Sequence, residues 1–179
     1  MKKISFLIIT CLFSLSCSSR QSIDREKFES LFGAAMRLEK CTLDTSLPNI
    51  KASEEDLSTE CKIAATKVRT HADKCFVYKI CNARRNWWQA IRWIDAENAE
   101  REKYLSLGNK NFMYWSEEKK EEISVSHQNA ISDYHVADNG LREALDWFRN
   151  GKVDEESMIE WPESWLDEII DNGGLTLND

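Results

Sequence analysis

Apolar residues recur along this chain at intervals of three and four, and no segment alternates convincingly with a period of two. That spacing places one apolar stripe on each of a series of helices. Phe28, Leu31, Phe32, Ala35 and Leu38 form the first stripe, on a helix from about Ile23 to Thr42. A loop around Pro48 follows. Ser53 is then placed to cap a second helix, with Glu54, Glu55 and Asp56 in its first turn, where the helix dipole favours acids. Its stripe reads Leu57, Cys61, Ala64, Val68, Ala72 and Cys75, and only Phe76-Val77-Tyr78 hints at extended chain. A third helix ends at Leu107-Gly108. A fourth begins near Ser116 and carries Ile123, Ala130, Ile131, Tyr134 and Ala137. Asp138-Asn139-Gly140 marks a stop or a kink in it, although Leu141, Leu145 and Phe148 keep its phase. A last short helix starts at Pro162 and offers Trp165, Leu166, Ile169 and Ile170 for burial. The expected fold is all-α, a bundle of five or six helices.

The opening residues, MKKISFLIITCLFSLS, stand apart from that pattern. Lys2 and Lys3 precede an apolar run from Ile4 to Leu15, which falls short of the roughly 20 residues needed to span a bilayer. A charged start and a short apolar core fit a secretory signal. Cys17 directly after Ser14-Leu15-Ser16 resembles a bacterial lipoprotein signal, in which the cysteine is lipidated and becomes the new N-terminus. Ser16 fits that pattern; Ser14 departs from it, since an aliphatic residue is usual there. The resemblance covers the signal alone. It implies lipid on Cys17, a membrane anchor of more than one acyl chain and, from Ser18 after the cysteine, a place on the outer membrane facing the periplasm. Ordinary cleavage into a soluble secreted chain is the alternative. Residues 1–16 are then the signal, 17–22 a polar tether, 23–151 the bundle and 152–179 an acidic C-terminal segment.

Charge narrows the partners. The chain has 24 basic and 31 acidic residues, a net charge of −7. Nine of those acids lie in residues 153–179, which hold no basic residue, while 17–152 balances at 22 of each. An acidic protein is poorly suited to nucleic acid, whose phosphates demand a basic surface. It suits a basic envelope protein better.

With Cys11 removed and Cys17 lipidated, Cys41, Cys61, Cys75 and Cys81 remain, and four thiols can pair completely in an oxidising compartment. Cys61 and Cys75 fall on one expected helix, about 21 Å apart along its axis, too far for a bond. Two pairings survive. An antiparallel hairpin favours Cys41–Cys61, with Cys75–Cys81 closing the next turn. The rival is Cys41–Cys75 with Cys61–Cys81. The spacings lack the close pair of a zinc module, so no metal is expected.

The segment RRNWWQAIRW, residues 84–93, concentrates three arginines and three tryptophans in an acidic chain. On a helix Trp87, Ala90, Ile91 and Ile94 share a face, which Ala83 and Leu105 extend and Trp93, Tyr104 and Trp88 flank. The apolar arc is about 220° wide, against roughly 100° for a one-sided helix. This helix is therefore expected to be central, with Trp87 in the core. Arg84, Trp88 and Arg92 stand at i, i+4 and i+8, so both guanidiniums can bracket one indole, with Arg85 beside them. Such a surface either clasps the acidic C-terminal segment or meets a partner. Trp161 and Trp165 are the second candidate contact: docked, they close the bundle; undocked, they fit a basic groove on another protein.

Catalytic signals are weak. His71, His127 and His135 include no i, i+4 pair, and no nucleophile matches a base by spacing. The six glycines are scattered, not gathered into a phosphate loop. The run Glu117 to Glu122 reads as a solvated first turn. The expectation is a non-catalytic envelope lipoprotein without cofactor that binds another protein, as an inhibitor or immunity-like factor. A structural or assembly lipoprotein of the outer membrane is the second reading, and a cell-wall hydrolase the third.

Overall fold

Residues 68–70 decide how the chain divides. The expected second helix ran unbroken to Cys75, but in the computed structural model it stops at Lys67 and a new helix starts at His71. Thr70 and Asp73 build the break. The Thr70 hydroxyl accepts from the Asp73 amide (3.1 Å), and the Asp73 carboxylate accepts from the amides of Thr70 (3.2 Å) and Arg69 (3.0 Å). This reciprocal capping satisfies amides that a helix start leaves open. Lys27 Nζ reaches the same carboxylate at 2.6 Å and ties the N-terminal turn to it. Burial alone would push Asp73 up; the Lys27 ammonium and the two backbone amides outweigh it and hold the carboxyl below its ordinary value.

The structure describes residues 22–106, 108, 115–153, 164, 165, 167 and 169. Among them four helices are complete: α1 (Glu29–Glu39), α2 (Leu47–Lys67), α3 (His71–Ser106) and α4 (Glu117–Asn150). Against the five or six expected, four complete helices occur among the described residues, with Trp165, Asp167 and Ile169 also helical, and no strand occurs there. Most of the short helix expected from Pro162 lies outside them. The first helix is shorter than expected because the chain before Phe28 makes turns. The second begins earlier, at Leu47, because Pro48 sits in its first turn, where a missing N–H costs nothing. Phe76, Val77 and Tyr78 are helical.

α4 runs through Gly140 without a stop. A Cβ on Gly140 would lie 3.1 Å from the Ala83 Cβ, so this glycine marks close approach of α4 to α3. Ser116 caps the start of α4 by accepting from the Lys119 amide. At the other end Gly151 takes a left-handed conformation (φ 67°). Its amide and that of Lys152 bond back to the Phe148 and Trp147 carbonyls, closing a Schellman motif. The Ile23 amide then donates to the Gly151 carbonyl, joining the two ends of the bundle.

α3 and α4 form a long antiparallel hairpin, as the pairs Lys79–Glu143, Trp93–Asp133 and Lys119–Glu100 show. α2 lies antiparallel along α3, joined by Cys61–Cys81 and Lys51–Asp95, and α1 packs on both α2 and α4. Phe28, Phe32, Phe76 and Phe148 lock α1 to the hairpin, with ring centroids 4.3 to 5.8 Å apart. Because α2 begins level with Asp95, the last third of α3 and the first third of α4 continue beyond the bundle. There the hairpin is a two-helix arm, about 16 Å long at 1.5 Å per residue. No residue of 96–106 is buried, and of 117–129 only Ile123 is.

The disulfide is a correction. Cys61 bonds Cys81, with Cα atoms 5.8 Å apart, and both are buried. The expected Cys41–Cys61 and Cys75–Cys81 bonds are not formed; Cys41 and Cys75 remain thiols. Cys75 and Cys81 lie six residues apart on one continuous helix, on different faces, so no turn brings them together. Cys41 precedes α2 and approaches Ser53, which lies about two turns of α2 away from Cys61.

Candidate functional site

The arginine-tryptophan segment sits in the middle of α3, where α2 and α4 both pack, and its residues part company there. Trp87 is fully buried, with its ring edge-on to Tyr134 at 5.1 Å. Trp93 is half-buried and donates its indole N–H to Asp133 Oδ2 at 3.1 Å. Burial pushes the Asp133 carboxyl up, and the indole bond only partly offsets it. Arg84 turns inward and pairs with Glu54 of α2; the two side chains are 11% and 6% exposed. Burial raises the Glu54 carboxyl above its ordinary value in spite of the guanidinium. Arg84 therefore does not bracket Trp88. Among the described residues Arg92 is the cation over that ring, its guanidinium carbon 5.0 Å from the centroid. Arg85, Trp88 and Arg92 form what remains of the outward patch, with Arg85 and Trp88 half-buried and Arg92 exposed. Among the described residues, the acid that clasps Arg84 is Glu54 of α2.

The second candidate surface also changes. Trp165 is 2% exposed and packs edge-on against Tyr78 of α3 at 4.8 Å. Ile169 is fully buried beside the same core. Trp165 is thus a core residue and does not offer itself as a contact; Trp161 lies outside the described residues. The apolar stripe of this segment is what docks it: an indole and an isoleucine four residues apart share one face and turn it to the core.

A surface not singled out from the sequence lies on the arm. A groove of about 550 Å³ runs between the end of α3 and the start of α4. Ala96, Ile123 and Val125 supply its apolar surface, and Glu97, Glu100, Glu118, Glu121 and Glu122 rim it. Val125 is 51% exposed and Leu105, nearby on the arm, 52%. Lys119 is the internal counter-charge. It reaches Glu100 at 2.7 Å, pairs with Glu122 and lies over the Tyr104 ring at 5.6 Å. Its hydrogen bonds hold Glu100 below and Lys119 above their ordinary values. Glu97 is engaged by Arg101 and His127. Among the described residues no cation pairs with Glu118 or Glu121. The run Glu117 to Glu122, read as a solvated turn, is one wall of this groove. The sequence holds a partial signal, since Glu97 and Glu100 share a face of α3. Their opposition to Glu118 and Glu121 depends on the register of the hairpin.

Titratable groups elsewhere do not converge. His71 lies 3.9 Å from Cys75 Sγ, and the thiol itself is buried. His127 meets Glu97 at 3.2 Å, and His135 is exposed beside Tyr134. Among the described residues no three His, Cys, Asp or Glu side chains gather as for a metal ion, and no helix is long and apolar enough to cross a membrane. Comparisons with protein-family models, with curated proteins and with solved structures find no match.

Proposed function

We propose that this chain is a non-catalytic lipoprotein of the bacterial envelope, anchored through Cys17, that binds another protein as an inhibitor or immunity-like factor. The arm carries this reading. A two-helix extension exposes apolar side chains and charge well beyond what its own bundle needs to close. It also lies in line with the cationic patch. Arg85 and Ala96 are eleven residues apart on α3, about three turns, so both fall on one stripe available to a single partner. A photo-crosslinking side chain placed at Arg92 or at Val125 in the lipidated protein tests this in intact envelopes. A discrete protein adduct at either position is expected; unreacted protein at both would end the reading.

The burial of Trp165 favours a second reading, a structural or assembly lipoprotein of the outer membrane. A segment folded back on its own core makes a self-contained scaffold, whose contacts would be permanent. Adducts that persist at constant yield through growth would favour this second reading over an inhibitor released and recaptured.

A further inference from the structure

The groove on the arm has the form of a bundle with one helix missing. α3 keeps a single face along its length, and Tyr78 and Ala96 are eighteen residues, five whole turns, apart on it. At Tyr78 that face is covered by Trp165. At Ala96 it is the floor of an open groove. Among the described residues, the same hairpin surface is thus roofed by Trp165 near the bundle and uncovered on the arm.

Charge says what the missing roof is made of. Residues 95–106 and 117–128 carry eight acids (Asp95, Glu97, Glu100, Glu102, Glu117, Glu118, Glu121 and Glu122) against four bases (Arg101, Lys103, Lys119 and Lys120). The protein's own C-terminal segment holds nine acids and no base, so its charge does not complement this groove. An occupant must bring cations for Glu118 and Glu121 and apolar side chains for Ala96, Ile123 and Val125. The groove spans Glu118 to Ser126 along α4, about two helical turns. Apolar anchors at i, i+3 or i+4 and i+7 on a helix match that length, and lysines or arginines flanking them reach the rims. A small polycation fits less well, because small-ligand sites enclose most of their ligand and this one is open along its length.

We infer that the arm docks a cationic amphipathic helix of the partner protein, laid in the groove between the end of α3 and the start of α4. This rests on the protein-binding reading above and names the chemistry of the partner. Electrostatic attraction to the acidic rim steers the encounter, and the apolar floor fixes the register.

The test uses the mature chain, with the Ile123 and Val125 methyl groups observed by NMR, and a synthetic Leu/Lys peptide of helical apolar period as probe. Saturable shifts centred on Ile123 and Val125 are expected. Glu118→Lys with Glu121→Lys should weaken binding about tenfold or more; both side chains are exposed, so the fold is kept. Val125→Asp should weaken it as well. A peptide of the same composition shuffled off the helical period, and a Leu/Glu counterpart, should not saturate. Equal affinity for the shuffled peptide, unchanged affinity after the double charge reversal, or the same shifts produced by spermidine at matched charge would each overturn the inference. If the Leu/Lys peptide fails while Arg92 still crosslinks an envelope protein, this inference falls and the protein-binding reading stands.

Discussion

Removing Arg84 tests whether the centre of the bundle rests on a charge pair. The Arg84→Met variant deletes the cation and keeps most of the volume. Glu54, 6% exposed, then has no counter-charge. A lone buried carboxyl escapes by taking a proton. From its ordinary value of 4.5, protonation at pH 7 costs about 1.36 kcal/mol for each of roughly 2.5 units, or about 3.4 kcal/mol. That is the ceiling on the charge-driven loss, at the lower end of the roughly 3–5 kcal/mol for breaking a buried pair. At pH 5 the same cost is about 0.7 kcal/mol. The sign follows from the protons bound: folded Glu54 in this variant holds a proton that the unfolded chain releases above 4.5. Stability is then fully present below that value and declines as pH rises toward the raised folded value. Glu54→Leu removes the titrating carboxyl and leaves a guanidinium that cannot shed its proton, so this variant's own stability should carry no pH dependence from the pair. The double variant, Glu54→Leu with Arg84→Met, should be more stable at pH 7 than Arg84→Met alone, because no buried carboxyl is left to take a proton. Urea unfolding of the three variants at pH 5, 6 and 7 reads all of this. A loss from Arg84→Met that is the same at pH 5 and pH 7 would refute the reasoning.

Further outcomes follow from the caps, the crosslink and the hairpin. Asp73→Asn should cost about 1.5–3 kcal/mol, because charged hydrogen bonds to Lys27 and two amides are weakened. Since the Asp73 carboxyl is held below 3.8, its contribution is present above that value and is lost as pH falls through its depressed folded value, which acid titration followed by circular dichroism checks. Replacing Cys61 and Cys81 together by Ala should lower stability by about 2–4 kcal/mol, read from urea midpoints. A soluble form beginning at Ser18 should titrate two thiols, Cys41 and Cys75, when denatured without reductant; none would restore the double pairing. Gly140→Leu should cost about 1–3 kcal/mol by driving α4 off Ala83, and thermal melting measures it.

Much of α4 was legible in the sequence. Ser116 and Gly151 are local signals, a hydroxyl before a helix and a residue free to turn left-handed after it. Trp87 was also readable as core, since the arc around it is too wide for a helix with one neighbour. The break before α3 has a local signal too: Thr70-x-x-Asp73 is a capping pair, but an apolar stripe runs through it in phase and hides it. Without that break Cys61 and Cys75 fall on one helix and a turn is expected between Cys75 and Cys81, where α3 is in fact continuous. For the arginine patch, the i, i+4 spacing correctly joined Trp88 to Arg92, but Arg84 also lies within reach of α2, and the buried carboxylate of Glu54 claimed it.

What the chain determines by itself is therefore what neighbours three or four residues apart can decide: helical class, where helices are capped, and which tryptophan faces inward. The Cys61–Cys81 bond, the Glu54–Arg84 pair and the acidic groove are decided only when helices meet. Each joins residues about twenty or more positions apart, and which pairs come level is set by how the helices slide past one another. That register comes from packing, at contacts such as Gly140 on Ala83, and not from any periodicity along the chain itself.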